Sequence, residues 1–287
     1  MKKNKTIIVT GSGGFVGSNL VRFLLKENYN VISVDIRNPK IIHKNHLFYK
    51  QEIEKFFNKK IKKIYAVIHL AAESRNNFSI KFPSKVINSN INSTLSILET
   101  FKKLKQKPIL FFSSTKQIEI DKKQNLYSPY SISKLSCEEL IKFYSNKYQF
   151  KACIFRFSEI FSLENNPSGK ALTVFINRFK KNKRIFIHDK KHKFDFLPLK
   201  SIMELILFLL KKPPQKNIKY SFKSDKISII TLVKLMKKYM KSRSQIITQK
   251  RTNAKKYLHK EINYNVKKLF SFKSNIKKII LNEANKN

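Results

Sequence analysis

The sequence predicts an α/β fold: a doubly wound parallel sheet covered by helices, followed by a small mixed C-terminal lobe. Three observations predict it. Short β-rich runs alternate with helical patterns through about the first 160 of the 287 residues. Most of these runs are apolar on both faces, as in strands of a sheet covered on both sides. Four of the five glycines lie within seven residues, between the first apolar run and the first helical pattern.

The elements follow in order along the chain. The predicted strands of the first part are Thr6–Thr10, Val31–Ile36, Leu47–Lys50, Tyr65–Ala71, Ile109–Ser114 and Ala152–Ser158. Apolar residues spaced by three and four predict the helices between them, which are Phe15–Lys26, Ile53–Lys60, Pro83–Lys105 and Ser131–Lys147. The later part predicts helices at Leu172–Lys180, Ile202–Lys211 and Ile230–Met240, with strands at Arg184–Ile187 and Gln245–Thr248.

The net charge of +43 suggests a polyanionic partner, but the composition favours another explanation. Only eight of the 61 basic residues are arginine, and the abundant Lys, Asn, Ile and Phe are the residues that AT-rich codons encode. Selection for phosphate binding favours arginine, whose planar fork binds phosphate at two points. Residues 211–287 hold 22 Lys or Arg against three acids. If the chain binds nucleic acid, we expect the contact in this Lys-rich region.

The cysteine content and the length of the apolar runs indicate the cellular compartment of the protein. Cys137 and Cys153 are too few for a disulfide framework or a structural metal site, so we expect no metal and a reducing environment. The longest strongly apolar run, Ile202–Leu210, is too short to cross a bilayer. The sequence therefore predicts a soluble cytoplasmic protein without a membrane span.

The glycines belong to the segment Val9–Gly17, where a strand passes into a helix. A side chain there would keep the backbone away from a pyrophosphate, and the helix N-terminus offers free N–H donors. Asp35 lies 18 residues after Gly17, close to the spacing of about 20 for an acid that binds a ribose 2′-hydroxyl. An acid there repels a 2′-phosphate and favours NAD, although Arg37 leaves NADP open.

Tyr130 and Lys134 are four residues apart at the start of a predicted helix, on one face. A tyrosine serves as a base near neutral pH only if its pKa falls by about 3 units from about 10, which the ammonium of Lys134 favours. Ser113, Ser114 and Thr115 end the fifth strand, at the edge where open α/β sheets bind ligands. Their hydroxyls bind a reacting oxygen or, alternatively, cap the next segment.

Taken together, these motifs resemble an extended short-chain dehydrogenase/reductase of the NAD-dependent epimerase/dehydratase family, which acts on nucleotide sugars. The resemblance runs from about Lys5 to about Leu210. The matching segments are Thr10-Gly11-x-x-Gly14-Phe15-Val16-Gly17, His69-Leu70-Ala71-Ala72, Asn90-x-x-x-Thr94-Leu95, Ser113-Ser114-Thr115 and the pair Tyr130 and Lys134.

The resemblance implies roles for these residues. Tyr130 is the acid/base, Lys134 holds the nicotinamide ribose and lowers the tyrosine pKa, Thr115 positions the substrate oxygen, and Asn90 supports proton transfer. The implied cofactor site, which also includes Ser113, Tyr130 and Lys134, is formed by Gly11, Gly13, Gly14, Phe15, Val16, Gly17, Asp35, Ile36, Leu70, Ala71 and Ala72. Residues 1–165 would then form an NAD(P)-binding Rossmann domain and residues 166–287 a smaller substrate-binding lobe.

The implied reaction is epimerisation of a nucleotide sugar through a keto-sugar intermediate, in surface polysaccharide synthesis, by a homodimer joined through Pro83–Lys105 and Ser131–Lys147. Two alternatives remain: an NAD(P)H-dependent keto-sugar reductase, and a non-catalytic RNA-binding or scaffold protein. A 4,6-dehydratase is disfavoured because Lys116-Gln117 replaces its Asp-Glu pair. Other departures from the family pattern are Ser93 for Gly, Glu119-Ile120 for Tyr-Gly, Glu159 for Asn, Ser162 for Gly and Phe194 for Arg.

Overall fold

The computed structural model forms two compact units. Unit 1 consists of Met1–Phe157 and Met203–Ser221, and unit 2 of Ser158–Ile202 and Phe222–Asn287. The expected functional boundary between residues 165 and 166 stays a prediction. The compact units differ from it, because Met203–Ser221 packs with Met1–Phe157. The structure describes residues 5–57, 63–124, 127–163, 166, 170–187, 190, 192–223, 226–249 and 264–265.

The elements of unit 1 include every strand predicted in the first part of the chain. The first elements are β1 (Thr6–Thr10), α1 (Phe15–Lys26), β2 (Asn30–Asp35), β3 (His46–Lys50), α2 (Ile53–Phe57), β4 (Ala66–His69), α3 (Asn76–Lys81), α4 (Pro83–Lys103), β5 (Ile109–Thr115), α5 (Gln117–Gln124), α6 (Pro129–Tyr148) and β6 (Ala152–Phe157). The remaining elements are β7 (Glu159–Phe161), α7 (Ala171–Lys180), β8 (Ile185–Ile187), β9 (Lys193–Pro198), α8 (Leu199–Lys211), β10 (Ile218–Lys223), β11 (Lys226–Ser228), α9 (Ile229–Tyr239), β12 (Ile246–Thr248) and β13 (Tyr264–Asn265).

Unit 1 is a parallel sheet of seven strands in the order β10-β6-β5-β4-β1-β2-β3. The chain leaves β1 for β2 on one side and later returns to β4 on the other. The strand order therefore reverses beside β1, and open α/β sheets bind their ligands at such a switch point. The doubly wound sheet predicted from the sequence is confirmed.

The long helices α4 and α6 cover one face of this sheet. Phe101 of α4 and Ile141 of α6 are fully buried against Phe112 of β5. Proline at the first helical position starts both helices, and the Ser128 hydroxyl caps α6 by accepting from the Ser131 N–H at 3.2 Å. This capped start fixes the first turn of α6, where Tyr130 lies.

Unit 2 is a small mixed lobe, as predicted. It contains a three-stranded sheet, β11-β9-β7, and a two-stranded sheet, β12-β8. Its own apolar core packs α7 and α9 around side chains such as Ile176 and Met236. Phe222 and Lys223 at the end of β10 pair with β13. The Lys-rich stretch beyond Gln249 lies outside the described residues, apart from β13.

Candidate active site

The glycine loop, residues 11–17, has no room for side chains at three of its four glycines. At Gly11, where φ is +74°, an added Cβ would lie 2.6 Å from the Ala71 nitrogen. A Cβ at Gly13 would lie 2.8 Å from the Cβ of Arg37, and one at Gly17 would lie 2.8 Å from the carbonyl carbon of Gly11. These three positions have no room for a side chain, so only glycine allows β1, α1 and the segment after β4 to approach this closely.

The geometry of this loop fits a dinucleotide pyrophosphate. Gly14 is the N-cap of α1 and places no side-chain cap over the first turn of the helix, where Phe15 and Val16 lie. The Ser12 hydroxyl is fully buried and is one of the few buried polar atoms without a hydrogen-bond partner in the described part of the chain. Uncapped N–H groups at a helix N-terminus attract phosphate.

Asp35, at the end of β2, is tied to the same loop. Its carboxylate accepts from the Gly13 N–H at 2.9 Å and from the Arg37 N–H at 2.8 Å. Each oxygen still has a lone pair for a ribose hydroxyl. The neighbouring Ile36 and Arg37 side chains are exposed. The structure thus places Asp35 beside the glycines, while its contact with ribose stays a prediction.

A buried histidine that the sequence reasoning did not single out as functional links this loop to α4. The Thr94 hydroxyl donates to the Asn90 carbonyl at 2.9 Å and therefore accepts from His69 Nε2 at 3.2 Å. His69 Nδ1 then accepts from the Thr10 hydroxyl at 2.7 Å. Burial, helped by the Lys134 charge, holds the pKa of His69 well below its usual value. The ring is therefore neutral and fixed in one tautomer.

Asn90 joins the segment after β4 to α6. Its Nδ2 donates to the Ser133 hydroxyl at 2.9 Å and to the Glu73 carbonyl at 3.3 Å, and its Oδ1 accepts from the Glu73 N–H at 2.9 Å. These bonds fix the backbone at Glu73, directly after Leu70, Ala71 and Ala72. Asn90 is thus a positioning residue in the structure, and its part in proton transfer stays a prediction.

Helix α6 brings the tyrosine and lysine to one end of the sheet. Tyr130 is half-buried in the first turn, where its carbonyl accepts from the Ser133 hydroxyl at 2.7 Å. Lys134, one turn later, is fully buried, with Nζ 4.6 Å from the centre of the Phe112 ring. Burial lowers the pKa of Lys134 to about 8, against the opposing effect of Cys137 and Glu138.

The three hydroxyls at the end of β5 have different surroundings. Alternation along the strand puts Ser113 and Thr115 on one face and Ser114 on the other. Ser114 donates to Glu138 Oε1 of α6 at 2.6 Å, so it is a structural residue. Thr115 Oγ1 accepts from the Gln117 N–H at 3.2 Å, at the start of α5. The capping alternative therefore applies to Thr115, which keeps its own O–H as a donor.

The structure gives the surroundings of three departures from the family pattern, at Glu119, Phe194 and Ser93. Glu119 accepts from Arg156 Nη1 at 3.3 Å and from the Ser221 hydroxyl at 3.0 Å. Phe194 belongs to the apolar core of unit 2, with its ring 5.4 Å from that of Phe196. Ser93, where the family has glycine, is buried on α4.

Among the residues with described positions, no group of three His, Cys, Asp or Glu side chains could hold a metal ion. Over the same residues, no helix has the length and apolar character needed to span a bilayer.

Known proteins resemble both the sequence and the fold. A protein of Methanocaldococcus jannaschii, named provisionally as a UDP-glucose 4-epimerase, is 31% identical over 224 residues, which is 71% of this chain and 73% of that protein. The structure of a Thermotoga maritima UDP-glucose 4-epimerase with UDP-glucose aligns with a TM-score of 0.80 at 23% identity, covering 96% of this chain and 98% of the other.

A UDP-glucuronic acid 4-epimerase from Bacillus cereus, in complex with UDP-glucuronic acid and NAD, aligns with a TM-score of 0.73 at 22% identity, covering 85% of this chain and 86% of the other. The family model described as "NAD dependent epimerase/dehydratase family" matches residues 7–221 of this chain. That match spans the glycine loop, the ends of β4 and β5, and α6. The chain belongs to the NAD dependent epimerase/dehydratase family.

Proposed function

We propose that this protein is an NAD-dependent nucleotide-sugar epimerase that works through a keto-sugar intermediate, in the cytoplasm and in surface polysaccharide synthesis. The observation that supports it most is the burial of Lys134 one turn after Tyr130. A buried ammonium destabilises a folded protein, so its retention beside a tyrosine at the ligand-binding edge of the sheet favours a catalytic role.

The chain's own residues would hold the cofactor and move the proton. The glycine loop would let the pyrophosphate approach the uncapped N–H groups at the start of α1, where Phe15 and Val16 lie, and Asp35 would bind the adenosine ribose. NAD, when bound, supplies reversible oxidation of a sugar carbinol carbon. Tyr130 would take the hydroxyl proton as the sugar is oxidised and return it as the sugar is reduced.

Lys134 and Thr115 would support Tyr130. The charge of Lys134 lowers the pKa of a nearby phenol, because an ammonium favours the phenolate. The O–H of Thr115 would donate to the sugar oxygen that gains negative charge. Asn90 would hold the first turns of α6 in place through Ser133, which bonds the Tyr130 carbonyl.

The test is turnover of UDP-glucose, UDP-N-acetylglucosamine and UDP-glucuronic acid with NAD, followed by chromatography of the products. We expect a 4-epimer to form with no net change in absorbance at 340 nm, and Tyr130→Phe to reduce kcat by about 100-fold or more. Tyr148→Phe, at the other end of α6, is the matched control. Full activity of Tyr130→Phe would disprove the catalytic assignment.

The same assay separates the alternative reaction. A keto-sugar reductase would consume NADH or NADPH in proportion to product, and absorbance at 340 nm would fall. Arg37 is the residue to examine for NADPH, since its side chain is exposed beside Asp35.

We also propose a homodimer through α4 and α6. In support, Phe143 of α6 exposes 59% of its surface although it is a large apolar residue. Light scattering should give twice the chain mass, and Phe143→Glu should give the monomer mass. A monomeric wild type would contradict the proposal.

A further inference from the structure

A buried charged cluster lies beside the candidate site and has no part in the proposed proton transfer. Its centre is Glu138, one helical turn after Lys134 on α6, whose carboxylate is fully buried. Arg156 of β6 binds it at two points, from Nε at 2.9 Å and from Nη2 at 2.7 Å. Lys219 Nζ lies 2.9 Å from the same carboxylate. Such two-point pairs fix geometry as well as charge.

The guanidinium of Arg156 also holds a second acid. Its Nη1 donates to Glu119 on α5 at 3.3 Å. Burial opposes charge on both Glu138 and Arg156, yet their mutual contacts lower the pKa of Glu138 and raise that of Arg156. Two carboxylates thus face the two cations Arg156 and Lys219, so the cluster is balanced in a chain of net charge +43.

These contacts hold the chain both before and after Thr115. Ser114, directly before it, donates to Glu138 and is the register partner of Arg156 in the sheet. Glu119 follows in the first turns of α5, and the Lys116 N–H donates to the Phe157 carbonyl at 2.8 Å. The end of β5 is therefore bound to α6 before Thr115 and to β6 after it.

We propose that Glu119, Arg156 and Glu138 form a clamp that sets the position of the Thr115 hydroxyl relative to α6, which bears Tyr130 and Lys134. The three are positioning residues, and the inference rests on the proposed function of Thr115. Glu119 departs from the family pattern, which has tyrosine there. Apolar residues often replace a buried ion pair with little loss of stability, so a geometric role explains the cluster better than stability does.

The first test is kinetic and uses the full-length protein with NAD and its sugar nucleotide. We expect Glu119→Gln to lower kcat about 10-fold, because small displacements of reacting groups have effects of this size. KM for the sugar nucleotide and Kd for NAD should change less than about twofold, because the binding residues are untouched. Glu138→Gln should act in the same direction and more strongly.

A double-mutant cycle with Thr115→Val separates positioning from general destabilisation. If the clamp acts through Thr115, Glu119→Gln has no further effect on kcat in the Thr115→Val background. An equal fall of kcat in both backgrounds would overturn the proposal. Ile141→Val, a buried substitution one turn after Glu138, is the control: it should lower stability and leave kcat unchanged.

Hydrogen exchange of the peptide covering residues 113–121 needs no substrate. Glu119→Gln should speed exchange at the Lys116 and Glu119 amides at least about 10-fold, since the segment loses its charged contact with Arg156 of β6 and keeps only the backbone bond from Lys116 to Phe157. Unchanged exchange would overturn the clamp even in an active enzyme. If Glu119→Gln exchanges faster but the wild-type protein turns over no nucleotide sugar, the clamp stands and the proposed function is rejected.

Discussion

The glycine loop and helix α6 form the two halves of the candidate site, and they are built in opposite ways. In the loop, side chains are left out so that backbone can approach backbone within 3 Å of a missing Cβ. In α6, polar side chains are packed in until they are fully buried: Ser131, Ser133, Lys134 and Glu138. A phosphate cradle requires empty space and free N–H groups, whereas a proton-transfer site requires side chains removed from water.

The two constructions have opposite effects on stability. A side chain added to the loop must displace backbone, which destabilises the fold. Removal of the Lys134 charge from α6 ends the cost of desolvating that ammonium, which stabilises the fold. A side chain added to the loop and the loss of the Lys134 charge should therefore change the free energy of unfolding with opposite signs.

Gly17→Ala should have the largest effect. The new Cβ would lie 2.8 Å from the carbonyl carbon of Gly11 and 2.9 Å from the Cα of Ser12, and neither atom can rotate away. We expect the free energy of unfolding to fall by about 3 kcal/mol and NAD binding to be lost, measured by urea denaturation and calorimetry. Ser18→Ala, the next residue of α1, should change stability by less than about 0.5 kcal/mol. Equal stability of Gly17→Ala and wild type would contradict the account of the loop.

Lys134→Met should have the opposite sign. The pKa of Lys134 falls from 10.5 to about 8 on folding, so the charged form disfavours the folded state by about 3 kcal/mol. This destabilisation is complete below pH 8 and disappears as the pH rises from 8 through 10.5. Without cofactor, Lys134→Met should therefore be more stable than wild type at pH 7 and equal to it near pH 11, while kcat is lost.

The matched control is Lys142→Met, on the same helix with its side chain 70% exposed. It should alter neither stability nor activity. Denaturation of both variants at pH 7 and near pH 11 provides the comparison. A Lys134→Met variant less stable than wild type at both pH values would show that the lysine is held by contacts stronger than its desolvation.

The sequence predicted what depends on local pattern and spacing. Helix α1 begins and ends where its apolar spacing indicates, and Asp35 lies beside the glycines as the interval of 18 residues suggested. Helix α5 was missed because its residues, Gln117–Gln124, have little apolar periodicity. Strand β10 was missed although Ile218, Tyr220 and Phe222 alternate with polar residues, a pattern that indicates a strand.

The sequence did not predict contacts between residues that are distant along the chain, and the reason is different. Glu119 was recognised only as a departure from the family pattern, and its partner Arg156 lies 37 residues later. The two meet because β5 and β6 pair with Ser114 opposite Arg156, a register that the sequence does not show. Side-chain clusters of this kind depend on register, whereas the glycine loop depends on one local segment.

Gly14→Ala should separate stability from binding within the loop. An added Cβ would meet only the Gly11 carbonyl oxygen at 3.2 Å and the Arg37 guanidinium at 3.8 Å. We expect a change of at most about 1 kcal/mol in the free energy of unfolding. Affinity for NAD should still fall at least about 10-fold, because the methyl group would lie where the backbone approaches the pyrophosphate. Unchanged affinity would place the pyrophosphate elsewhere.

Gln149→Gly should have the smallest effect and tests why the chain keeps glycine where it does. Gln149 ends α6 with φ of +56°, and five other described residues without glycine's freedom also have positive φ: Asn28, Lys40, Lys63, Asn182 and Lys241. Glycine removes the strain of the left-handed conformation but increases the conformational entropy of the unfolded chain. We therefore expect the free energy of unfolding to rise by about 0.5 kcal/mol, with no change in NAD binding.

Gly11→Asn is the matched opposite, because asparagine accepts the φ of +74° but not the 2.6 Å approach to Ala71. Strong destabilisation of Gly11→Asn would show that the loop keeps its glycines for space, and its tolerance would show that φ alone requires them.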